Sequence, residues 1–214
     1  MMKILITGFD PFNNEKINPS WEAVKQLPDK LKDIEIIKLQ LPTEFKKSTE
    51  VLFENIKNIS PDFVLCIGQA GGRYDFSIER VAINIDDARI PDNSGFQPID
   101  NTIFEDGKTA YFSSLPIKGI LKTINENNIP GSISNTAGTF VCNHIMYSLL
   151  YYIEKNNLNT KGGFIHIPYI REQVLNKKST PFMELSTVVE ALKLTILAIN
   201  NYKKDIKLIG GLEF

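Results

Sequence analysis

Three residue types at separated positions in this 214-residue chain could together perform acyl transfer: a thiol, an imidazole and a carboxylate. The thiol is Cys142, in Asn135-Thr136-Ala137-Gly138-Thr139-Phe140-Val141-Cys142-Asn143-His144. A strand is expected to end near Asn135, a short loop through Ala137-Gly138 follows, and then a helix begins. Thr139 is the best N-cap by residue type, which puts Cys142 at the third helical position. A thiol there feels the positive end of the helix dipole and unpaired amide N–H groups. Both favour the thiolate, and the same amides can hold an oxyanion. A buried core thiol is the competing reading, and position alone does not separate the two. Cys66 differs: it lies inside the apolar run Phe63-Val64-Leu65-Cys66-Ile67 and reads as core, with a raised thiol pKa.

A thiol nucleophile needs a base, and histidine suits neutral pH. The chain has two histidines. His144 follows Cys142 by two positions on the same helix, so their side chains diverge by roughly 200°; it reads as a helix-surface or subunit-contact residue. His166, in Gly162-Gly163-Phe164-Ile165-His166-Ile167-Pro168, sits at the C-terminal end of an expected strand, where open α/β sheets assemble sites. Taken alone, it would pass for a satisfied core histidine. The base needs an orienting group. Glu79, in Phe76-Ser77-Ile78-Glu79-Arg80-Val81-Ala82-Ile83-Asn84, shares a strand face with Val81 and Ile83 by alternation, and a carboxylate there requires a partner. That partner is His166, or an arginine such as Arg73 or Arg89.

The elements that must position these groups alternate. Strands are expected at Lys3–Thr7, Glu35–Leu41, Asp62–Ile67, Ser77–Ile83, Gly131–Ser134 and Gly163–Ile167. Helices are expected at Pro19–Leu27, Thr43–Asn58, Ile117–Asn125, Phe140–Lys155 and Leu185–Asn200. Residues Asp86–Asp106, rich in Asp, Asn, Pro and Gly, read as an irregular segment of the kind that often carries function. The alternation predicts an α/β fold, a mainly parallel sheet covered by helices on both faces, in one domain spanning residues 1–214.

Composition bounds the partners. Hydrophobic residues make up 43% and charged residues 23%, as in ordinary globular proteins. The 24 basic and 25 acidic residues give a net charge of −1, so no basic excess draws in nucleic acid. No apolar run approaches the ~20 residues needed to span a bilayer, and no secretory leader is apparent. A cytoplasmic protein is expected, with no membrane partner. Two cysteines and two histidines, far apart, make a poor metal signature, so no metal site is expected.

Several motifs in order along the chain resemble the pyroglutamyl peptidase type I family, also called pyrrolidone carboxyl peptidase. Gly68-Gln69-Ala70-Gly71-Gly72-Arg73, leading to Ser77-Ile78-Glu79-Arg80-Val81-Ala82-Ile83-Asn84, resembles that family's glutamate signature. Ser134-Asn135-Thr136-Ala137-Gly138-Thr139-Phe140-Val141-Cys142-Asn143 resembles its cysteine signature. Gly8-Phe9-Asp10-Pro11-Phe12, Asn18-Pro19-Ser20-Trp21, Asp87-Ala88-Arg89-Ile90-Pro91-Asp92 and Phe164-Ile165-His166-Ile167-Pro168 complete the match. The resemblance implies a three-layer α/β/α sandwich and a cysteine exopeptidase that removes N-terminal pyroglutamyl (5-oxoprolyl) residues from peptides. It implies Cys142 as nucleophile, His166 as general base and acid, Glu79 as orienter, and Arg89 with the Cys142 amide in the oxyanion hole. It places Phe9, Phe12, Asn18, Gln69, Ile90 and Phe140 at the substrate ring. It implies no cofactor, and a homo-oligomer, often a tetramer.

Two other readings compete. The glycines at Gly8 and at Gly68–Gly72 would suit a nucleotide- or nucleoside-binding α/β protein, although neither forms a G-x-G-x-x-G or Walker A loop. A non-catalytic scaffold of the same fold would keep the core while leaving Cys142 an ordinary thiol.

Overall fold

A computed structural model describes residues 1–211 of the chain. Its strands are β1 (Met2–Phe9), β2 (Lys30–Leu31), β3 (Ile34–Leu41), β4 (Phe63–Gln69), β5 (Phe76–Glu79), β6 (Val81–Ile83), β7 (Ala110–Phe112), β8 (Gly131–Ser134) and β9 (Lys161–Ile167). Its helices are α1 (Pro19–Val24), α2 (Phe45–Ile59), α3 (Ile117–Glu126), α4 (Val141–Lys155), α5 (Arg171–Val174) and α6 (Leu185–Asn201). Seven strands form one sheet in the order β2-β3-β1-β4-β9-β5-β8, and β6 and β7 pair separately. The large sheet is mixed. β3, β1, β4 and β9 run parallel, β5 is antiparallel to β9, β8 is parallel to β5, and β2 is antiparallel to β3.

The central strands are apolar on both faces because both faces are covered. Ile4, Ile6, Leu65, Ile67, Ile165 and Ile167 pack against α1, α3 and α6. Leu5, Val64, Cys66 and Phe164 point to the other side, against α2 and α4. This is the expected α/β sandwich. Among the described residues no helix is long and apolar enough to cross a membrane.

The expected single strand Ser77–Ile83 is in fact two. β5 ends at Glu79, Arg80 breaks the run, and Val81–Ile83 leaves to pair with Ala110–Phe112. The cause is a change of partner: the Arg80 N–H still donates to Ser134 O, while its carbonyl accepts from Ser113 N, both at 2.9 Å. Alternation therefore fails across Arg80, and Glu79 does not share a face with Val81 and Ile83. Glu79 is fully buried, while Ile83 is 38% exposed.

The start of α4 also differs. Phe140, not Thr139, holds the cap position, with no side-chain cap. Thr139 is engaged elsewhere: its Oγ1 donates to Asp87 O at 2.7 Å. Cys142 is thus the second helical residue. His144, expected on the surface or in a subunit contact, is buried. Its Nδ1 lies 2.7 Å from Asp86 Oδ2, and its ring meets Phe45 edge-on.

Asn143, wholly buried, ties α4 to the small sheet. Its Oδ1 accepts from Ile83 N at 3.0 Å, and its Nδ2 donates to the Ile83 and Ile85 carbonyls at 2.9 and 3.0 Å. Asn143→Ala orphans these buried backbone groups. Urea unfolding should show a loss of about 2–4 kcal/mol; a loss below about 0.5 kcal/mol would mean the three bonds hold nothing.

Candidate active site

The site is built where α4 begins above the C-terminal end of β4. A Cβ on Gly68 would lie 2.8 Å from Cys142 Sγ and 2.6 Å from the Phe164 ring. The sulfur therefore rests directly over a strand position that has no side chain. Gly68 pairs with His166 in register on the neighbouring strand β9, and paired residues of parallel strands share a face, about 4.8 Å apart. Cys142 and His166 line one pocket.

The next strand completes the arrangement. His166 pairs with Ser77 of antiparallel β5, so Glu79, two residues on, lies diagonal to His166 on the same face. His166 Nδ1 is 2.7 Å from Glu79 Oε1. The same oxygen accepts from Arg73, also at 2.7 Å, and a second nitrogen of Arg73 donates to Thr136 O at 3.1 Å. The two partners that the residues alone offered to Glu79, a histidine or an arginine, are both present. Because Nδ1 faces the carboxylate, the proton is assigned there, which leaves Nε2 as the acceptor.

Electrostatics follow from burial and these contacts. Burial alone would raise the Glu79 pKa, but the His166 hydrogen bond and charge, with Ser134 and Arg73, hold it below the usual carboxylate range. Burial pushes His166 below its ordinary value; Glu79 opposes this and Arg73 adds to it. Burial pushes the Cys142 thiol up to about 12, with Glu79 raising it further and Arg73 opposing. The thiolate expected from the helix start is therefore not the resting form. Burial of the sulfur outweighs the helix end, although Cys142 is half-buried and lines the pocket. The resting pair is a neutral thiol and a neutral imidazole. Cys66 also rises to about 12 through burial, eased by a Thr7 hydrogen bond, as expected for a core thiol.

The pocket measures about 220 Å³ and is lined by Phe9, Phe12, Asn18, Gln69, Phe140, Cys142 and His166, with Thr43, Ala70, Arg73, Ala137, Gly138 and Val141. It lies below the 300–1,000 Å³ typical of drug-sized ligands, so it suits one small ring. Phe12 and Phe140 meet at 6.2 Å between centroids. Asn18 also caps α1: its Oδ1 accepts from Ser20 N and Oγ, and its Nδ2 donates to Asp10 O. Gln69 Oε1 accepts from Gln173 Nε2 at 2.8 Å. Arg89 is exposed and Ile90 half-buried, and neither lines this pocket. A larger cleft of about 660 Å³ opens where β4 and β9 begin, near Lys57, Asp62 and Tyr152, and gathers no nucleophile and base. Gly8 and Gly71 serve packing. Side chains there would strike the Ser20–Trp21 backbone and the Tyr169 ring, which leaves the nucleotide reading without its glycine support.

Sequence reasoning underrated Gly68, Arg73 and Ser134. The one available signal for Gly68 was a glycine interrupting an apolar strand, which marks close approach.

The family model described as pyroglutamyl peptidase matches residues 2–202. The pyrrolidone-carboxylate peptidase of Brachyspira hyodysenteriae is 66% identical over 195 residues, 91% of this chain and 97% of that protein. The one from Clostridium perfringens is 56% identical over 210 residues, 98% of this chain and 99% of its own. The crystal structure of Bacillus amyloliquefaciens pyroglutamyl peptidase I superposes with a TM-score of 0.93 at 48% identity, covering 96% of this chain and 100% of that one. Pyrrolidone carboxyl peptidase from Thermococcus litoralis gives 0.94 at 38% identity, covering 98% and 100%.

Two outcomes follow from the geometry. Gly68→Ala must displace Cys142 Sγ or Phe164, so kcat/KM should fall roughly 10²-fold while the far-ultraviolet circular dichroism stays that of wild type; unchanged kinetics would mean the sulfur is not seated there. With a raised thiol and a lowered imidazole, iodoacetamide alkylation of Cys142 should speed up steadily from about pH 6 to 9. A rate that is flat across that range would instead show a preformed thiolate.

Proposed function

Because the chain belongs to the pyroglutamyl peptidase family of cysteine peptidases, we propose that Cys142, His166 and Glu79 carry out the removal of an N-terminal pyroglutamyl residue from peptides. The observation that supports this most is the shared pocket of Cys142 and His166, with Glu79 2.7 Å behind the imidazole.

The steps follow from the charge states. His166 Nε2 takes the thiol proton as Sγ attacks the carbonyl carbon that follows the pyroglutamyl ring. The oxyanion forms at the first turn of α4, which no side chain caps, so the Cys142 amide is available to it. One such donor is worth roughly 3–4 kcal/mol in the transition state. Glu79 holds the imidazolium, which then protonates the leaving amine. Water activated by the same imidazole cleaves the thioester and releases 5-oxoproline. No cofactor or metal enters this reaction.

Phe9, Phe12 and Phe140 form the apolar surroundings of the ring; Ile90 stands outside the pocket lining. Asn18 is fixed by its cap bonds with one Nδ2 hydrogen unused, and it donates to the lactam carbonyl; Gln69 supplies a further polar contact. A pocket that offers the ring fixed lactam partners and whose charged lining side chain is the Arg73 cation disfavours a free N-terminal ammonium. Arg89 adds a donor at the oxyanion hole. In support, Asp87, two residues before it, is bonded both ways to Thr139 beside α4. The whole chain acts as one domain, in the cytoplasm, as a homo-oligomer, tetrameric by family resemblance. Exposed Ile83 and Phe112 on the small sheet support an interface.

The decisive test is hydrolysis of a pyroglutamyl-coumarin amide. Wild type should cleave it, and Cys142→Ala and Cys142→Ser should each lose at least about 10³-fold in kcat with unchanged melting temperature. An active Cys142→Ala would sink the assignment.

A further inference from the structure

One polar atom of the site has no hydrogen-bond partner. Glu79 is 0% exposed, and its Oε1 carries both His166 and Arg73, yet its Oε2 is buried and unpartnered. A half-satisfied buried carboxylate is costly. The nearest remedy is on the next strand. Ser134 of β8 pairs with Glu79 in register, so the two side chains share a face about 4.8 Å apart along the sheet. Ser134 is 8% exposed, and its hydroxyl donates to Thr136 O at 3.0 Å, a carbonyl that also receives Arg73. Thr136 O would therefore keep a donor if the serine turned away.

Gly68, His166, Glu79 and Ser134 thus stand side by side on four adjacent strands, β4, β9, β5 and β8, with the sulfur above the first. We propose that Ser134 is a positioning residue of the catalytic line, its hydroxyl turning from Thr136 O to Glu79 Oε2 as His166 becomes imidazolium. The inference rests on the catalytic reading of Cys142, His166 and Glu79. Rotation about one side-chain bond supplies the missing donor when the carboxylate's full charge is required. Ser134 already stands close enough to be among the influences that lower the Glu79 carboxyl.

The charged or titratable groups facing Glu79 are His166 of β9, Arg73 of the loop after β4 and Cys142 of α4. In the resting state the Ser134 hydroxyl serves Thr136 O, so removing it destabilises ionised Glu79 only when His166 is charged. The histidine–carboxylate pair then takes up its proton at lower pH, and the acid limb of kcat/KM moves downward.

Ser134→Ala should lower kcat/KM about tenfold, through kcat rather than KM, as loss of one hydrogen bond to a charged group implies. It should also move the acid limb down by about one pH unit. Ser134→Thr, which keeps the hydroxyl, should retain the wild-type limb. Ser134→Cys, a weaker donor, should fall between. The β5–β8 backbone ladder is untouched by all three, and melting temperature checks this. A Ser134→Ala enzyme with wild-type kcat and limb overturns the role of Ser134 alone, provided that wild type is active and Cys142→Ala is dead. A change in rate with no shift of the limb, or one that Ser134→Thr fails to rescue, reduces Ser134 to packing and also overturns it. If wild type fails to cleave the pyroglutamyl amide, the catalytic reading falls and this inference falls with it.

Discussion

A carboxylate wholly removed from water keeps its charge only while other groups replace the solvent, and Glu79 sets that condition for the whole site. His166 and Arg73 meet one of its oxygens at 2.7 Å each. The sheet is arranged so that this can happen. β5 enters antiparallel between β9 and β8, which brings its last residue diagonal to His166 and level with Ser134. A parallel β5 in the same place would run the other way along β9 and change that register. The chain then leaves at Arg80 for the small sheet, and so Glu79 closes the strand inside the core instead of continuing toward solvent.

The nucleophile depends on a second constraint, close packing between helix and sheet. α4 presents Val141, Ile145 and Leu149 to the core, and its first turn is held by Asn143 on the small sheet and His144 on Asp86. These two residues fix the helix end from either side of the cysteine. Gly68 leaves a vacancy in the sheet where the sulfur sits. Precision here comes from apolar packing and buried amide bonds, and reactivity comes from the polar line beneath. The raised thiol fits that division: a neutral sulfur tolerates the packing, and its proton departs only when His166 is placed to receive it.

The irregular segment after β6 is tied down at several points, which explains how a run of Asp, Asn, Pro and Gly can border a site. Asp92 accepts from Phe45 N at the start of α2 and from Ser94 and Phe96 within the segment. Asp86 pairs with Asn101 by backbone and with His144 by side chain. Asp86 and Asp92, which look solvent-seeking in the sequence, are here spent on backbone N–H groups and one imidazole. Composition distinguishes neither use.

Much was legible in the chain alone, for physical reasons. Apolar runs at β1, β4 and β9 and the amphipathic stretches of α2, α4 and α6 reflect burial on both faces of a sheet, and burial writes itself into residue type. The cysteine at a helix start and the histidine at a strand end were visible because chemistry restricts which residues can serve. What residue type could not carry was who stands beside whom. The break at Arg80, the antiparallel sense of β5, the shared oxygen of His166 and Arg73 on Glu79, and the burial of His144 all depend on strand partners distant in sequence. The state of the Cys142 proton was decided there too, because it answers to burial between α4 and the strand below, an enclosure that exists only once the sheet and helix have closed on each other.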